Sequence, residues 1–286
     1  MPILQLTDGM ILIRIMNYEL TIGWLYPELM STYGDRGNII VLQKRCQWRG
    51  ISVEIKRLDL GFKISDLKKC NLLFMGGAQD RQQQMVAEDL LRKRDDLKKM
   101  IENQTPGLYI CGAYQFLGKY YKEANGKIIN GSGILNLYTE NPGENFKRLI
   151  GNIIVKLNLN LSQIVVSAPI PYRNYIYDVV GFENHGGKTY LGKGIKPLGK
   201  VIKGFGNNGV DKTEGAIYKN SFGSYLHGPI LPKNPHFADY LITLALKKKY
   251  PPRGKAGKNT IELPRLDDLL EWQAHKAIAK RLAVAI

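Results

Sequence analysis

Cysteine is scarce: Cys46, Cys70 and Cys111 are the only three in 286 residues. An odd count at unrelated spacings excludes a disulfide framework and matches no zinc-ligand pattern, so a reducing cytoplasm is the expected home. Long apolar runs are missing too. None approaches the roughly 18 residues needed to cross a bilayer, and the mildly apolar stretch from Met10 to Ile15 follows Asp8 with neither a basic leader nor a small-residue cleavage site. Neither a membrane span nor secretion is expected.

Acidic residues are also in short supply, 25 against 41 Lys and Arg, giving a formal charge of +16. Such an excess attracts polyanions, but the basic residues are scattered in small clusters such as Lys93-Arg94 and Lys247 to Lys249. No aromatic-interleaved RNA-binding signature accompanies them. An acidic partner subunit or an anionic, membrane-bound substrate accounts for the charge equally well, and no nucleic acid is expected.

What is present is an alternation of short apolar runs and amphipathic stretches. The run from Glu19 to Trp24 reads as a strand, followed by a turn cluster from Tyr33 to Asn38 and a helix carrying Ile39, Ile40, Leu42 and Cys46. Ile51 to Leu58 alternates like a strand, and Asn71 to Met75 is a compact apolar run ending in Gly76-Gly77. One helix is predicted over 80–103, with Met85, Leu90, Leu91 and Leu97 on its apolar face, before the Thr105-Pro106-Gly107 breaker and a strand at Leu108 to Ile110. This pattern predicts an α/β fold around a mostly parallel sheet.

After Gly131 the texture changes to β-prone runs, including Ile153 to Val155 and Ile164 to Val166, separated by turns rich in Gly and Asn. Ala238 to Lys247 reads as a closing helix. Pro251 to Lys255 reads as a linker before a final helix containing Leu266, Leu269, Leu270, Trp272, Ile278 and Leu282. The expected organisation is an extension over 1–17, a catalytic domain over 18–250, and a linker with a C-terminal helix over 251–286.

The chemistry centres on Cys111. An apolar strand runs straight into Cys111-Gly112 and then a helix through Phe116 and Leu117, the layout of a nucleophile elbow. A thiol at such a turn is exposed above the sheet, and the helix N-terminus favours its thiolate. A buried structural cysteine is the competing reading. The nucleophile needs a base, and only His185, His227, His236 and His275 are available. His227, after the β-like Phe222 to Leu226 and before Gly228-Pro229, is placed at a strand end, where an imidazole can reach a site above the sheet.

Six ordered blocks carry a resemblance. They are Tyr26 to Met30 with Tyr33 to Asn38, Gly76 to Asp80, Cys111 to Gln115, Gly181 to His185, Gly204 to Gly209, and Tyr225 to Pro229. Together, across about residues 18 to 245, they resemble the GatD family of glutaminase subunits of lipid II isoglutaminyl synthase. That family sits within the cobyric-acid-synthase-like group of class I glutamine amidotransferases.

The resemblance implies a flavodoxin-like amidotransferase fold with a C-terminal helical extension. It implies hydrolysis of L-glutamine through a γ-glutamyl thioester on Cys111, with His227 as base and then acid. Backbone N–H groups of Gly77 and Gly112 would form the oxyanion hole. Arg148 matches the position that holds the glutamine carboxylate, and Gln115 is a substrate-side brace of the elbow. The ammonia would pass to a MurT-like ligase subunit in a heterodimer that amidates the D-glutamate of lipid II in cell-wall synthesis, at the inner face of the membrane. ATP and Mg belong to that partner; no cofactor or metal is expected in this chain.

Two rivals stand beside this reading: a cobyrinate-type amidotransferase subunit, and a catalytically inactive binding module that kept the fold. One departure matters. Most class I amidotransferases carry His-x-Glu, whereas the position two after His227 is Pro229. The acid that orients the imidazole is therefore open among Glu183, Asp178 and a residue of the partner, with the partner favoured.

Overall fold

The computed structural model describes residues 17–31, 34–78, 80–161, 175–251 and 261–282. Its first half builds the expected parallel sheet. β1 (Glu19–Leu25), β2 (Ser52–Leu58), β3 (Leu72–Met75) and β4 (Gly107–Ile110) are parallel neighbours in the order β4-β3-β1-β2. β3 and β4 lie at the centre, and every residue of both is buried. That is why they read as unbroken apolar runs instead of alternating ones. Their side chains still alternate between faces: Leu72, Phe74, Leu108 and Ile110 join one core cluster, and Leu73, Met75 and Tyr109 the other.

Helices cover both faces. α1 (Arg36–Gln47) buries Ile39, Leu42 and Cys46 in the first cluster. On the other side lie α2 (Ile64–Leu67) and a pair, α3 (Asp80–Arg92) and α4 (Arg94–Glu102). The single helix predicted over 80–103 is thus two, broken at Lys93, whose φ of −104° and ψ of 3° are not helical. The break lets two separate stripes reach the sheet: Val86, Ala87 and Leu90 from α3, and Leu97, Met100 and Ile101 from α4. Met85 and Leu91, expected on the apolar face, are exposed at 53% and 39%. Lys93 fills the joint with its Nζ 2.6 Å from Asp89 and 4.5 Å from the centre of the Phe62 ring.

After α5 (Gly112–Leu117) come β5 (Tyr120–Lys122), β6 (Ile128–Asn130), β7 (Leu137–Glu140), β8 (Leu149–Leu157), β9 (Asp178–His185), β10 (Lys188–Leu191) and β11 (Gly199–Lys203). With β12 (Thr213–Glu214) and β15 (Leu226–His227) these make two more sheets, ordered β10-β7-β5-β6 and β12-β11-β8-β9-β15. β13 (Ala216–Tyr218) and β14 (Ser221–Ser224) return to the parallel sheet, where β14 pairs with β4. Two residues later β15 pairs antiparallel with β9. The chain thus crosses from one sheet to another between Ser224 and Leu226, just before His227.

The closing helix α6 (Pro235–Lys249) starts earlier than expected, with Pro235 at a first-turn position that needs no N–H donor. The terminal helix is α7 (Leu269–Arg281), and Leu266 precedes it. Leu269 and Leu270, predicted on its apolar face, are exposed, whereas Trp272, His275 and Ala279 are buried. Trp272 stacks on His236 of α6 with ring centres 5.1 Å apart. Arg45 of α1, itself buried, binds Asp239 at 2.7 Å and Asp268 at 2.6 Å, so the terminal segment packs on its own domain. Tyr33, Gln79, the strand expected at Ile164 to Val166, the linker at 252–255 and the extension over 1–16 lie outside the described residues. Among the described residues, no helix is long and apolar enough to cross a membrane.

Candidate active site

The elbow forms where β4 stops. Cys111 takes φ 52° and ψ −106°, a conformation that L-residues avoid, at a cost of about 1–3 kcal/mol. Three contacts hold it there. Its N–H donates to the Ser224 carbonyl at 2.8 Å, its own carbonyl accepts the Gln115 N–H at 3.0 Å, and the fully buried β4 fixes the approach. A strained backbone beneath a half-buried thiol is the geometry of a nucleophile elbow. Cys46 and Cys70 are buried, and burial pushes each thiol up to about 12, which keeps both protonated and inert.

His227 is the histidine that the fold brings to this thiol. It is 1% exposed, and its imidazole is coupled to Cys111 by charge and by a side-chain hydrogen bond. Burial opposes a positive charge on the ring, but Cys111 and Asp35 outweigh it and lift the imidazolium pKa to about 10. A ring held toward its charged form beside a cysteine is the proton-transferring partner that an attacking thiol needs. His236 and His275 sit in the α6–α7 contact, and burial pushes both below the usual histidine range. His185 stacks on the Tyr225 ring with centres 3.7 Å apart and bonds the Gly187 carbonyl at 2.7 Å.

Asp35 is the residue that sequence reasoning missed. It precedes α1 as a capping residue would, yet its side chain makes no cap hydrogen bond. Its Oδ1 lies 3.3 Å from His227 Nδ1, and its Oδ2 accepts the Gly77 N–H at 2.7 Å. The carboxylate is completely buried. Its position in the loop after β1, at the C-terminal edge of a parallel sheet where sites gather, was the available signal.

The acids weighed from sequence are engaged elsewhere. Glu183 accepts the N–H groups of Phe205 and Gly206 at 2.7 and 2.8 Å. Asp178 lies four residues from Phe182, the register partner of His227, which is about 13 Å along the strand. An acid of this same chain therefore occupies the position for which the partner was favoured. The neighbouring loop residues serve the same corner: Asn38 Oδ1 accepts the Leu231 N–H at 2.9 Å, and a Cβ on Gly37 would run into the Pro229 ring. Both braces hold the chain just past His227.

Gly77 leaves little room for a side chain. A Cβ there would lie 3.0 Å from His227 Cε1, 3.3 Å from Cys111 Cβ and 3.5 Å from Asp35 Oδ2. This glycine is thus the floor between thiol, imidazole and carboxylate. Its N–H, expected as an oxyanion donor, is held by Asp35 in this state. The Gly112 N–H lies at the start of α5, immediately after Cys111.

Gln115 is buried, and its amide donates to the Tyr225 hydroxyl at 3.0 Å. That hydroxyl is 2.6 Å from Thr189 Oγ1, which is 2.6 Å from Thr139 Oγ1. The chain of bonds fixes the elbow helix against β7 and β10, so Gln115 acts as a brace here. Arg148 is exposed; its Nε donates to Asn184 Oδ1 and its Nη2 to the Asn184 carbonyl, each at 3.0 Å. The Gly186-Gly187 turn links the two: a Cβ on Gly186 would lie 3.5 Å from Arg148 Nη1, and one on Gly187 3.0 Å from Gln115 Nε2. Behind them, Glu214 is fully buried, accepts the Tyr225 N–H at 2.7 Å, and is pushed up to about 8 by that burial. Among the described residues, no group of three or more His, Cys, Asp or Glu side chains converges as a metal site would.

Comparison with known proteins matches this architecture. Residues 21–235 match the CobB/CobQ-like glutamine amidotransferase domain. The chain is 41% identical over 256 residues to the lipid II isoglutaminyl synthase (glutamine-hydrolyzing) subunit GatD of Streptococcus pneumoniae, covering 90% of this chain and 89% of that one. It is 38% identical over 264 residues to the subunit of the same name from Staphylococcus aureus, covering 92% and 96%. Among solved structures, a glutamine amidotransferase superposes with a TM-score of 0.51 at 14% identity over 78% of this chain and 98% of that one, a likeness of fold.

Proposed function

The chain belongs to the CobB/CobQ-like glutamine amidotransferase family and is a glutamine amidotransferase; from that premise we propose that it is the glutaminase subunit of a two-subunit enzyme that amidates lipid II. The observation that carries this reading is the strained Cys111 paired with the buried imidazolium of His227, in a chain aligned nearly end to end with the two GatD subunits.

The proposed reaction uses these residues in turn. The Cys111 thiolate attacks the side-chain amide carbon of glutamine, and the carbonyl π electrons move to oxygen. The Gly112 N–H faces that oxyanion, joined by the Gly77 N–H once Asp35 releases it; each preorganised donor of this kind is worth ~3 kcal/mol in the transition state. His227 gives its proton to the departing nitrogen, ammonia leaves, and a γ-glutamyl thioester remains. Water then loses a proton to the neutral imidazole and adds to the thioester carbon. Collapse expels the thiolate and frees glutamate. Arg148 pairs with the substrate α-carboxylate, the bidentate task that suits a guanidinium.

Ammonia released here would serve a MurT-like ligase subunit, which activates the D-glutamate α-carboxylate of lipid II with ATP. The near-complete coverage of the GatD subunits in both directions favours this partner over a cobyrinate-type one. The test supplies amide-15N glutamine, ATP and lipid II to the chain and its ligase. Labelled D-isoglutamine is expected from the wild type, and with Cys111→Ala the label is lost while added unlabelled ammonium still supports amidation; label transfer that survives Cys111→Ala would overturn the assignment.

A further inference from the structure

We propose that Asp35 is a positioning residue that couples the base to the oxyanion hole, orienting His227 with one carboxylate oxygen while holding the Gly77 amide with the other. The inference rests on the reading of Cys111 and His227 as nucleophile and base. Oδ1 stands 3.3 Å from His227 Nδ1 and Oδ2 2.7 Å from the Gly77 nitrogen. Both side chains of the acid–base pair are withdrawn from water, at 1% and 0% exposure, so nothing in solvent can substitute for the carboxylate.

The arrangement replaces the acid that Pro229 removes from the usual His-x-Glu position. It also does something that an acid beside the histidine alone would not. Because Oδ2 takes up the Gly77 N–H, the second oxyanion donor becomes available only when Asp35 gives it up. The carboxylate then turns wholly toward an imidazolium that is about to donate its proton. Cys111 and Asp35, among the described residues, both favour the charged ring of His227, so removing the Asp35 charge weakens the imidazolium beside Cys111.

Asp35→Asn tests this, since it keeps the shape while removing the charge and one of the two acceptors. The first readout is the rate of Cys111 alkylation by iodoacetamide against pH, which needs neither glutamine nor a partner. In a variant with wild-type melting temperature, alkylation at pH 7 should fall at least about fivefold, and its profile should move to higher pH. In the complex with the ligase subunit, glutaminase kcat should fall about 100-fold or more, with KM for glutamine within about threefold. An unchanged alkylation profile with an unchanged kcat would overturn the proposal. A wild-type chain whose Cys111 is alkylated in the expected pH range yet hydrolyses no glutamine would instead sink the glutaminase reading alone. Should Asp35→Asn fold poorly, nitrogen-15 NMR of His227 in the wild type decides: an imidazolium persisting above pH 8 is expected, and titration near 6.5 would refute the coupling.

Discussion

At the scale of single residues, the site is a contest for space and charge around one glycine. Gly77→Ala would push a methyl to 3.0 Å from His227 Cε1, so glutaminase kcat should fall at least ~100-fold while the melting temperature moves by only a few degrees. Arg148→Lys keeps the charge but loses the planar fork; KM for glutamine should rise about tenfold or more, with kcat within a few-fold, in steady-state assays of the complex. The sequence made Cys111 and His227 legible because a strand entering Cys-Gly and a histidine at a strand end both have local signatures. Asp35 had only its place in the loop after β1, since a capping aspartate and one aimed at a histidine 192 positions away look alike in one dimension. Gln115 was legible as a brace, but the Tyr225, Thr189 and Thr139 hydroxyls that make it one lie on three separate strands or their connections.

At the scale of elements, burial on both faces made β3 and β4 readable from their composition alone. The α3–α4 break escaped because charged and apolar residues continue in helical rhythm through Lys93, and only the need to aim two stripes at one sheet separates them. The same limit applied to α7, where leucines drew attention and the buried face is Trp272, His275 and Ala279. That face has a pH consequence. His275 titrates at about 4 and His236 lies well below 6.5 in the folded chain, so as pH falls below 6.5 the unfolded state takes up protons first. Stability should therefore drop progressively between pH 6.5 and 4. Thermal melts over that range should show it, and His275→Gln should flatten part of the loss. Arg45 gives a second test: Arg45→Ala leaves Asp239 to Arg49 and takes from Asp268 its partner near α7, a change expected to cost about 3–5 kcal/mol in denaturant titrations.

At the scale of the whole molecule, three sheets meet at one corner. The parallel sheet delivers Cys111 at the end of β4 and Asp35 after β1, while the antiparallel sheet delivers His227 on β15. The crossing between Ser224 and Leu226 joins these contributions, and its long-range pairing is what a reading by local periodicity does not reach. Everything proposed for this corner depends on Cys111 and His227 hydrolysing glutamine together. The most direct measurement is ammonia release from glutamine by the chain with its ligase subunit, for wild type, Cys111→Ala and His227→Ala. Release by the wild type with loss of at least ~1,000-fold in each variant is predicted; a rate that either variant retains would contradict the account.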